Sequence, residues 1–296
     1  MTAATSSHPA LSTAELAAQA RRRHLISRFG FFVLVVTTVI AVVYPFYWMV
    51  MASFTPEGYS LANGPLFLPE QFSIEAYQSI FAERPLLRWI GNTLLVTVTA
   101  TMIVLPSALL AAYSLNRFRF RGRTPFIFFV LLSQLLPSSA VIVPLYLIFR
   151  DYKLLNTVLG VTIAYTTFML PMGVWVLWGY IQTIPQDFEE AAMVDGCNGF
   201  QAFMRVTLPL AAPGIAATAL FIFLEGWNHY LLAFVLTSDT SQWVISLGLY
   251  AFIGQYNIQI EQMMATSVIA AIPALVAFAV LQRFLRGGLA LGGLKG

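Results

Sequence analysis

A chain of 296 residues, 58% hydrophobic, only 10% charged and with a mean hydropathy of +0.76, falls far outside soluble-domain composition and reads as an integral membrane protein. Sixteen Lys and Arg against thirteen Asp and Glu leave a formal charge of +3, but the cations gather at the ends of apolar runs and form no basic patch interleaved with aromatics, which excludes nucleic acid as a partner. The single cysteine, Cys197, excludes an intramolecular disulfide and any Cys-x-x-Cys metal or redox site.

In chain order, residues 1–28 form a polar tail ending in Arg21-Arg22-Arg23-His24 and Arg28. The apolar run from Phe29 to Ser53 is too long for a signal-peptide core and has no Ala-x-Ala-type site at its end, so it reads as a retained first span. Five more runs satisfy the rule that about 20 apolar residues cross the hydrocarbon core: Trp89–Leu115, Pro125–Phe149, Leu155–Ile181, Leu208–Leu236 and Met263–Leu285. The expected fold is therefore an all-α polytopic membrane protein of six transmembrane helices, residues 29–285, with a tail at 286–296. Thr55–Arg88 reads as a short ordered segment on one side. Trp243–Phe252 is apolar but too short to span, which suggests an interfacial or re-entrant helix. Asn92, Asn116 and Asn156 stand at span ends, where helix capping is the plain reading.

Charge sorting sets the orientation. The N-terminal tail, Arg117, Arg119, Arg121 and Arg123, Arg205, and the C-terminal Arg283, Arg286 and Lys295 place twelve cations on one side. Arg84, Arg88, Arg150 and Lys153 place four on the other. The positive-inside rule makes the first side, and with it both termini, cytoplasmic.

A polar island at 185–209 interrupts the apolar runs on that side. Asp187 with Glu190 three positions on reads as a capping box opening a short helix, Gly196 as its left-handed end, and Asn198 with Gln201 as a second capping box. Pro209 and Pro213 then mark the start of the next span. Two exposed helices without metal ligands or a nucleophile–base pair suit docking more than catalysis.

The fifth run spans about 43 Å if helical, more than the roughly 30 Å core, and carries Glu225-Gly226-Trp227-Asn228-His229-Tyr230. An intramembrane carboxylate, amide and imidazole belong at a water-filled cavity, so Glu225, Trp227, Asn228, His229 and Tyr230 are candidates for a substrate pathway suited to sugars, with Gly226 as a local break. An aromatic belt at the outer interface is the alternative for the same cluster. In the third run Pro137 and Pro144 predict a bend, which makes Gln134 and Ser138 candidates for hinge or pathway roles. Metal ligands are absent from this pattern.

The spacing Glu190-Ala191-Ala192, Gly196, Val206-Thr207-Leu208-Pro209 resembles the "EAA" loop of binding-protein-dependent ABC importer permeases. Tyr44-Pro45, Trp227-Asn228 and the ending Gly288–Gly296 are similar to the carbohydrate type, the maltose-permease G-like second subunit. His229 departs from the acidic residue frequent there, which leaves any relative's substrate uncertain for this chain.

The resemblance implies a type I importer in a bacterial inner membrane. It comprises this chain beside a second permease subunit, two copies of a cytoplasmic ATPase, and an extracytoplasmic solute-binding protein. It also implies an ATPase-coupling role for Glu189, Glu190, Ala191, Ala192, Asp195, Gly196, Phe200 and Pro209. The chain lacks a G-x-x-x-x-G-K-[ST] loop, so ATP and Mg are expected on the partner and no cofactor here. An ion-gradient carrier would need several intramembrane charges, and an enzyme a converging His, Asp or Ser cluster. Within the importer class a non-sugar solute such as glycerol phosphate stays open.

Overall fold

The computed structural model describes residues 13–59, 68–69, 71–254 and 258–292. Its described backbone is helical apart from turns and one isolated bridge between Ile253 and Ile258. In order come α1 (Thr13–Ser53), α2 (Glu75–Glu83), α3 (Leu86–Arg117), α4 (Arg123–Leu135), α5 (Ser138–Asp151) and α6 (Val158–Ile181). There follow α7 (Asp187–Val194), α8 (Gly199–Ala202), α9 (Leu208–Asn228), α10 (Leu231–Leu236), α11 (Ile245–Tyr250) and α12 (Ile260–Gly292).

Five helical stretches are long and apolar enough to cross a membrane: Ser27–Ser53, Leu86–Arg117, Val158–Ile181, Gly199–Asn228 and Ile260–Phe284. The expected third span is the exception. Helices α4 and α5 meet at 98°, so this run counts as a sixth span only if the bent pair is taken together. The cause is local. Leu136 is extended at φ −72°, ψ 123°, as a residue before proline prefers, and Pro137 offers no N–H to continue the ladder.

Helix α1 begins at Thr13 and α12 continues to Gly292, while the stretches of these helices able to span, Ser27–Ser53 and Ile260–Phe284, lie at the expected first and last runs. Residues 1–12 and 293–296, including Lys295, lie outside the described residues.

The core forms where α3, α6 and α9 cross. Without a hydrophobic force between helices in lipid, close approach of small residues supplies the packing. Ala100, Ala108 and Ala112 of α3 meet Ala164 and Gly173 of α6, all fully buried or nearly so. A Cβ on Gly173 would stand 3.1 Å from Val104 and 3.3 Å from both Ala108 and Ile222. On α9, a Cβ at Gly214 would lie 2.3 Å from the Tyr180 ring, so the crossing exists only with glycine there.

The short apolar segment expected as an interfacial or re-entrant helix packs on the bundle as α11. The first turns of α3 hold it: Trp89 Nε1 donates to the Thr240 carbonyl at 2.8 Å, and Asn92 Nδ2 donates to those of Ser241 and Trp243 at 2.9 and 3.0 Å. The Ile245 N–H donates to Thr93 Oγ1 at 2.7 Å. Asn92 is thus a bridge and not a cap. Asn116 does both, donating to the Ala112 carbonyl of its own last turns at 2.8 Å and across to the Trp178 carbonyl of α6 at 3.2 Å, and Asn156 bridges as Asn92 does. The Asn156 side-chain oxygen accepts from the N–H groups of Ser238 and Asp239 at 2.6 and 3.0 Å. Inside lipid, an amide satisfies more orphan backbone groups by reaching a neighbouring element than by capping its own.

Candidate functional site

The polar loop after α6 is tied to the end of α3 by one carboxylate. Glu189 is only 6% exposed. Its Oε1 accepts from Arg117 Nε at 2.8 Å and from the Thr207 hydroxyl, and its Oε2 accepts from the Tyr113 hydroxyl at 3.0 Å. Arg117 Nη2 also donates to the Ile184 carbonyl at 3.3 Å, and Gln186 Nε2 to the Asn116 carbonyl at 3.3 Å. Helix α7 is therefore clamped against α3 at its first turn. A buried carboxylate with three donors is a satisfied charge, and removing one partner leaves the other exposed to the full desolvation penalty.

The local chemistry of α7 differs at one end from the expected pattern. Gln186 occupies the N-cap position in helical conformation, φ −68°, ψ −25°, without a side-chain cap. Asp187 is thus the first helical residue, and the Asp187–Glu190 capping box does not form, because a cap needs extended backbone at its first residue. Its acid still lies in the first turn with Glu189 and Glu190, where the helix dipole favours it.

The other end conforms. Gly196 has φ +95°, its N–H donates to Met193 O at 3.1 Å, and Cys197 N donates to Ala192 O at 3.0 Å, a Schellman cap. Asn198 and Gln201 form the expected capping box at 2.9 and 3.0 Å.

Beyond α8 the chain does not restart at Pro209. A π turn over Phe203–Thr207 joins α8 to α9, with the Leu208 N–H donating to the Phe203 carbonyl. Pro209 sits in the first turn after it, where the wider register absorbs the missing N–H. The second short helix and the fifth span are one continuous rod from Gly199 to Asn228.

On the outer face of this loop Glu190, Ala191, Asp195, Gly196 and Phe200 are exposed, while Ala192 is half-buried. Phe200 is 71% exposed and Val194 87%, with Phe188 and Met193 also open. Phe188, Met193 and Val194 escaped the motif reading. Their signal was present as apolar residues left over in the one polar stretch of the chain. A buried Glu189 beside an exposed Glu190 also divides the acidic pair, which the sequence treats alike.

A second candidate region is a recess beside α9 where Gln134, Phe221 and Glu225 are exposed. A cavity of about 220 Å³ is lined by Gln134 of α4, by Phe168, Met169 and Met172 of α6, and by Phe221, Glu225 and His229 from the α9 side. Phe221, Glu225 and His229 recur every four residues and share one helix face. Three of the predicted pathway residues therefore meet.

The others do not join them. Trp227 is buried, stacks on Phe223 at 5.7 Å and donates from Nε1 to the Ala270 carbonyl at 3.1 Å. With Asn228 it borders a separate apolar crevice of about 460 Å³ against α11 and α12. Tyr230 packs its ring on Phe234 and Tyr250, both at 5.4 Å. Ser138 opens α5 at the bend, and its side chain lies outside the described residues.

The break in the fifth span also moves. Gly226 stays helical, and a Cβ there would lie 3.1 Å from Thr97 and 3.2 Å from Met169, so its role is close packing. The chain breaks instead at His229, φ −72°, ψ 104°. The freed His229 carbonyl accepts from the hydroxyls of Tyr165 and Ser246, the latter at 3.2 Å. Among the described residues no three His, Cys, Asp or Glu side chains gather as a metal-ligand group.

Residues 104–287, which hold both the clamped loop and the cavity, match the family described as binding-protein-dependent transport system inner membrane component. The chain belongs to this family of inner-membrane permeases. The permease is 34% identical over 275 residues to the diacetylchitobiose uptake system permease protein DasC of Streptomyces coelicolor, covering 93% of this chain and 100% of the relative. It is 32% identical to the inner membrane ABC transporter permease protein YcjP of Escherichia coli, covering 94% and 100%.

Among solved structures, a chain of a bacterial ABC transporter that imports the acidic polysaccharide alginate superposes with a TM-score of 0.67 at 24% identity, covering 93% of this permease and 99% of that chain. A chain of the MetNI methionine ABC transporter gives 0.58 at 16% identity, covering 69% and 95%. The permease thus has the fold of these importer chains, and its relatives are transport permeases.

Proposed function

We propose that this permease is one of two different membrane subunits of an ATP-driven importer for a sugar or sugar derivative. In this reading it pairs with a second permease, sits on two copies of a cytoplasmic ATPase that carry ATP and Mg, and receives solute from an extracytoplasmic binding protein. Both termini and the 185–209 loop face the cytosol, as the charge asymmetry favours.

The observation that carries the coupling role is the division of labour in α7. Glu189 fixes the helix to α3 while Phe188, Val194, Phe200 and Glu190 remain exposed around it. Exposed apolar residues crowded on a membrane-external loop mark a protein interface, and here the partner is the ATPase. Movement of that partner is transmitted through Glu189 and Arg117 to α3 and through the π turn to α9. The spans then exchange inward-open and outward-open states, a two-state element biased by ligands on either side.

The sugar class rests on two supports. Relatives carry names such as diacetylchitobiose uptake permease and trehalose/maltose transport permease. The cavity sets hydrogen-bonding groups, Gln134, Glu225 and His229, beside the aromatic faces of Phe168 and Phe221, a combination suited to hydroxyls and sugar rings.

The test is uptake of radiolabelled sugars by cells carrying the whole complex, comparing wild type with Glu190→Lys, together with co-purification of the ATPase. Loss of uptake with loss of the bound ATPase is expected. Uptake that persists without ATP and without an associated ATPase would overturn the reading.

A further inference from the structure

The turn between α3 and α4 is a cationic surface of the permease that the transport reading leaves unused. Four arginines occur between positions 117 and 123, and only Arg117 is engaged in a salt bridge, with Glu189. Arg119, Arg121 and Arg123 make no salt bridge among the described residues. Such a run of unpaired guanidinium groups repels itself unless an anion neutralises it.

The backbone shapes this charge into a cup. Gly122 takes φ +97° and turns the chain so that residues 119–125 surround a concave space of about 410 Å³. Arg119, Arg121, Arg123 and Thr124 all line this open recess beside the first turn of α4. Pro125 in that turn takes the place of one orphan N–H of the helix start at no cost to the ladder, and the Phe126 N–H closes the first turn onto Gly122 O at 2.9 Å. Guanidinium forks, a hydroxyl and a helix start are the groups that recognise phosphate.

The apolar surroundings select the source of that phosphate. Phe118, Phe120 and Phe126 are each about half exposed, and the first two alternate with the arginines along the turn. The cup lies where two apolar helices end, so phenyl groups flank a cationic recess at the edge of the bilayer. We propose that the Arg119–Pro125 turn binds the phosphodiester headgroup of an anionic phospholipid, with its acyl chains along Phe118, Phe120 and Phe126. Phe118 also packs edge-on against Tyr113 at 6.1 Å, and a free phosphate would leave the exposed faces of Phe120 and Phe126 uncovered. The site begins two residues from Arg117, whose other contacts hold the 185–209 loop in place.

The test is native mass spectrometry of the full-length chain in detergent after incubation with phosphatidylglycerol, phosphatidylcholine or soluble glycerol phosphate. Wild type should retain phosphatidylglycerol well above phosphatidylcholine. The triple variant Arg119→Gln, Arg121→Gln, Arg123→Gln should lose roughly a hundredfold in phosphatidylglycerol affinity, since each cation near an anionic surface contributes measurably. The control pair Arg150→Gln, Lys153→Gln, which removes two cations elsewhere, should bind as wild type does, and the triple Lys variant should keep most of the binding. Equal retention of both lipids, or undiminished phosphatidylglycerol on a triple Gln variant with normal circular dichroism, would overturn the proposal. So would glycerol phosphate binding as tightly as the lipid, or retention of phosphatidylglycerol only after the ATPase is added.

Discussion

Arg117 Nε and Glu189 Oε1 lie 2.8 Å apart with both side chains nearly buried, joining the end of one long span to the first turn of the exposed loop helix. Breaking one partner strands the other charge, at a cost of about 3–5 kcal/mol, whereas replacing both by apolar groups costs much less. Arg117→Met and Glu189→Leu singly should each lower the melting temperature of the purified permease markedly, and the double variant should recover most of it. A double variant no better than the worse single one, in the same thermal-shift assay, would mean the pair is not the clamp.

Gly196 stands in the left-handed region with open space around the missing Cβ. Substitution therefore costs backbone strain of about 1–2 kcal/mol and no steric clash. Gly196→Leu should permit assembly with the ATPase but uncouple hydrolysis from uptake, while Gly196→Asn, which tolerates this conformation, should retain more coupling. Hydrolysis and uptake measured on the same preparation decide it, and normal coupling in Gly196→Leu would remove the loop's cap from the mechanism.

At Gly214 the constraint is the reverse. A Cβ would enter the Tyr180 ring at 2.3 Å, so Gly214→Ala should destabilise by about 1–3 kcal/mol through overpacking. Pairing it with Tyr180→Ala frees the space and should restore part of the loss. Melting temperatures of the two single variants and the pair provide the measurement.

Glu225 and Trp227 are near neighbours in sequence with different surroundings. Glu225→Ala should depress uptake while leaving ATPase association and melting temperature close to wild type, because its carboxylate lines the cavity. Trp227→Phe removes the donor to the Ala270 carbonyl and should cost about 1 kcal/mol of stability with little change in which solute is taken up. The opposite pattern, solute preference altered by Trp227 and untouched by Glu225, would place the pathway on the other face of α9.

Tyr165→Phe removes one of the two hydroxyls that satisfy the His229 carbonyl at the break in the fifth span. The remaining Ser246 bond should hold the break in Tyr165→Phe, and only the double variant with Ser246→Ala should unfold it. Hydrogen–deuterium exchange over residues 226–236 reads this directly, with rapid exchange expected in the double variant alone.

The sequence by itself determined what depends on composition and local backbone preference. Apolar run lengths located the spans, because the bilayer imposes a length on any helix that crosses it. Asn198, Gln201 and Gly196 announced their caps, since those interactions close within a few residues.

What the tertiary structure decided are relationships between elements. Glu189 and Glu190 are equivalent as letters, and only the approach of α3 buries one and leaves the other exposed. Asn92 and Asn156 looked like caps, but partners more than eighty positions away claim their amides, and Asn116 divides its own between Ala112 and Trp178. The fifth span breaks at His229 and not at Gly226, because Tyr165 and Ser246 are there to satisfy the carbonyl that a break sets free. In a membrane an orphan backbone group is tolerated only where another segment supplies its partner, and that supply is settled by packing.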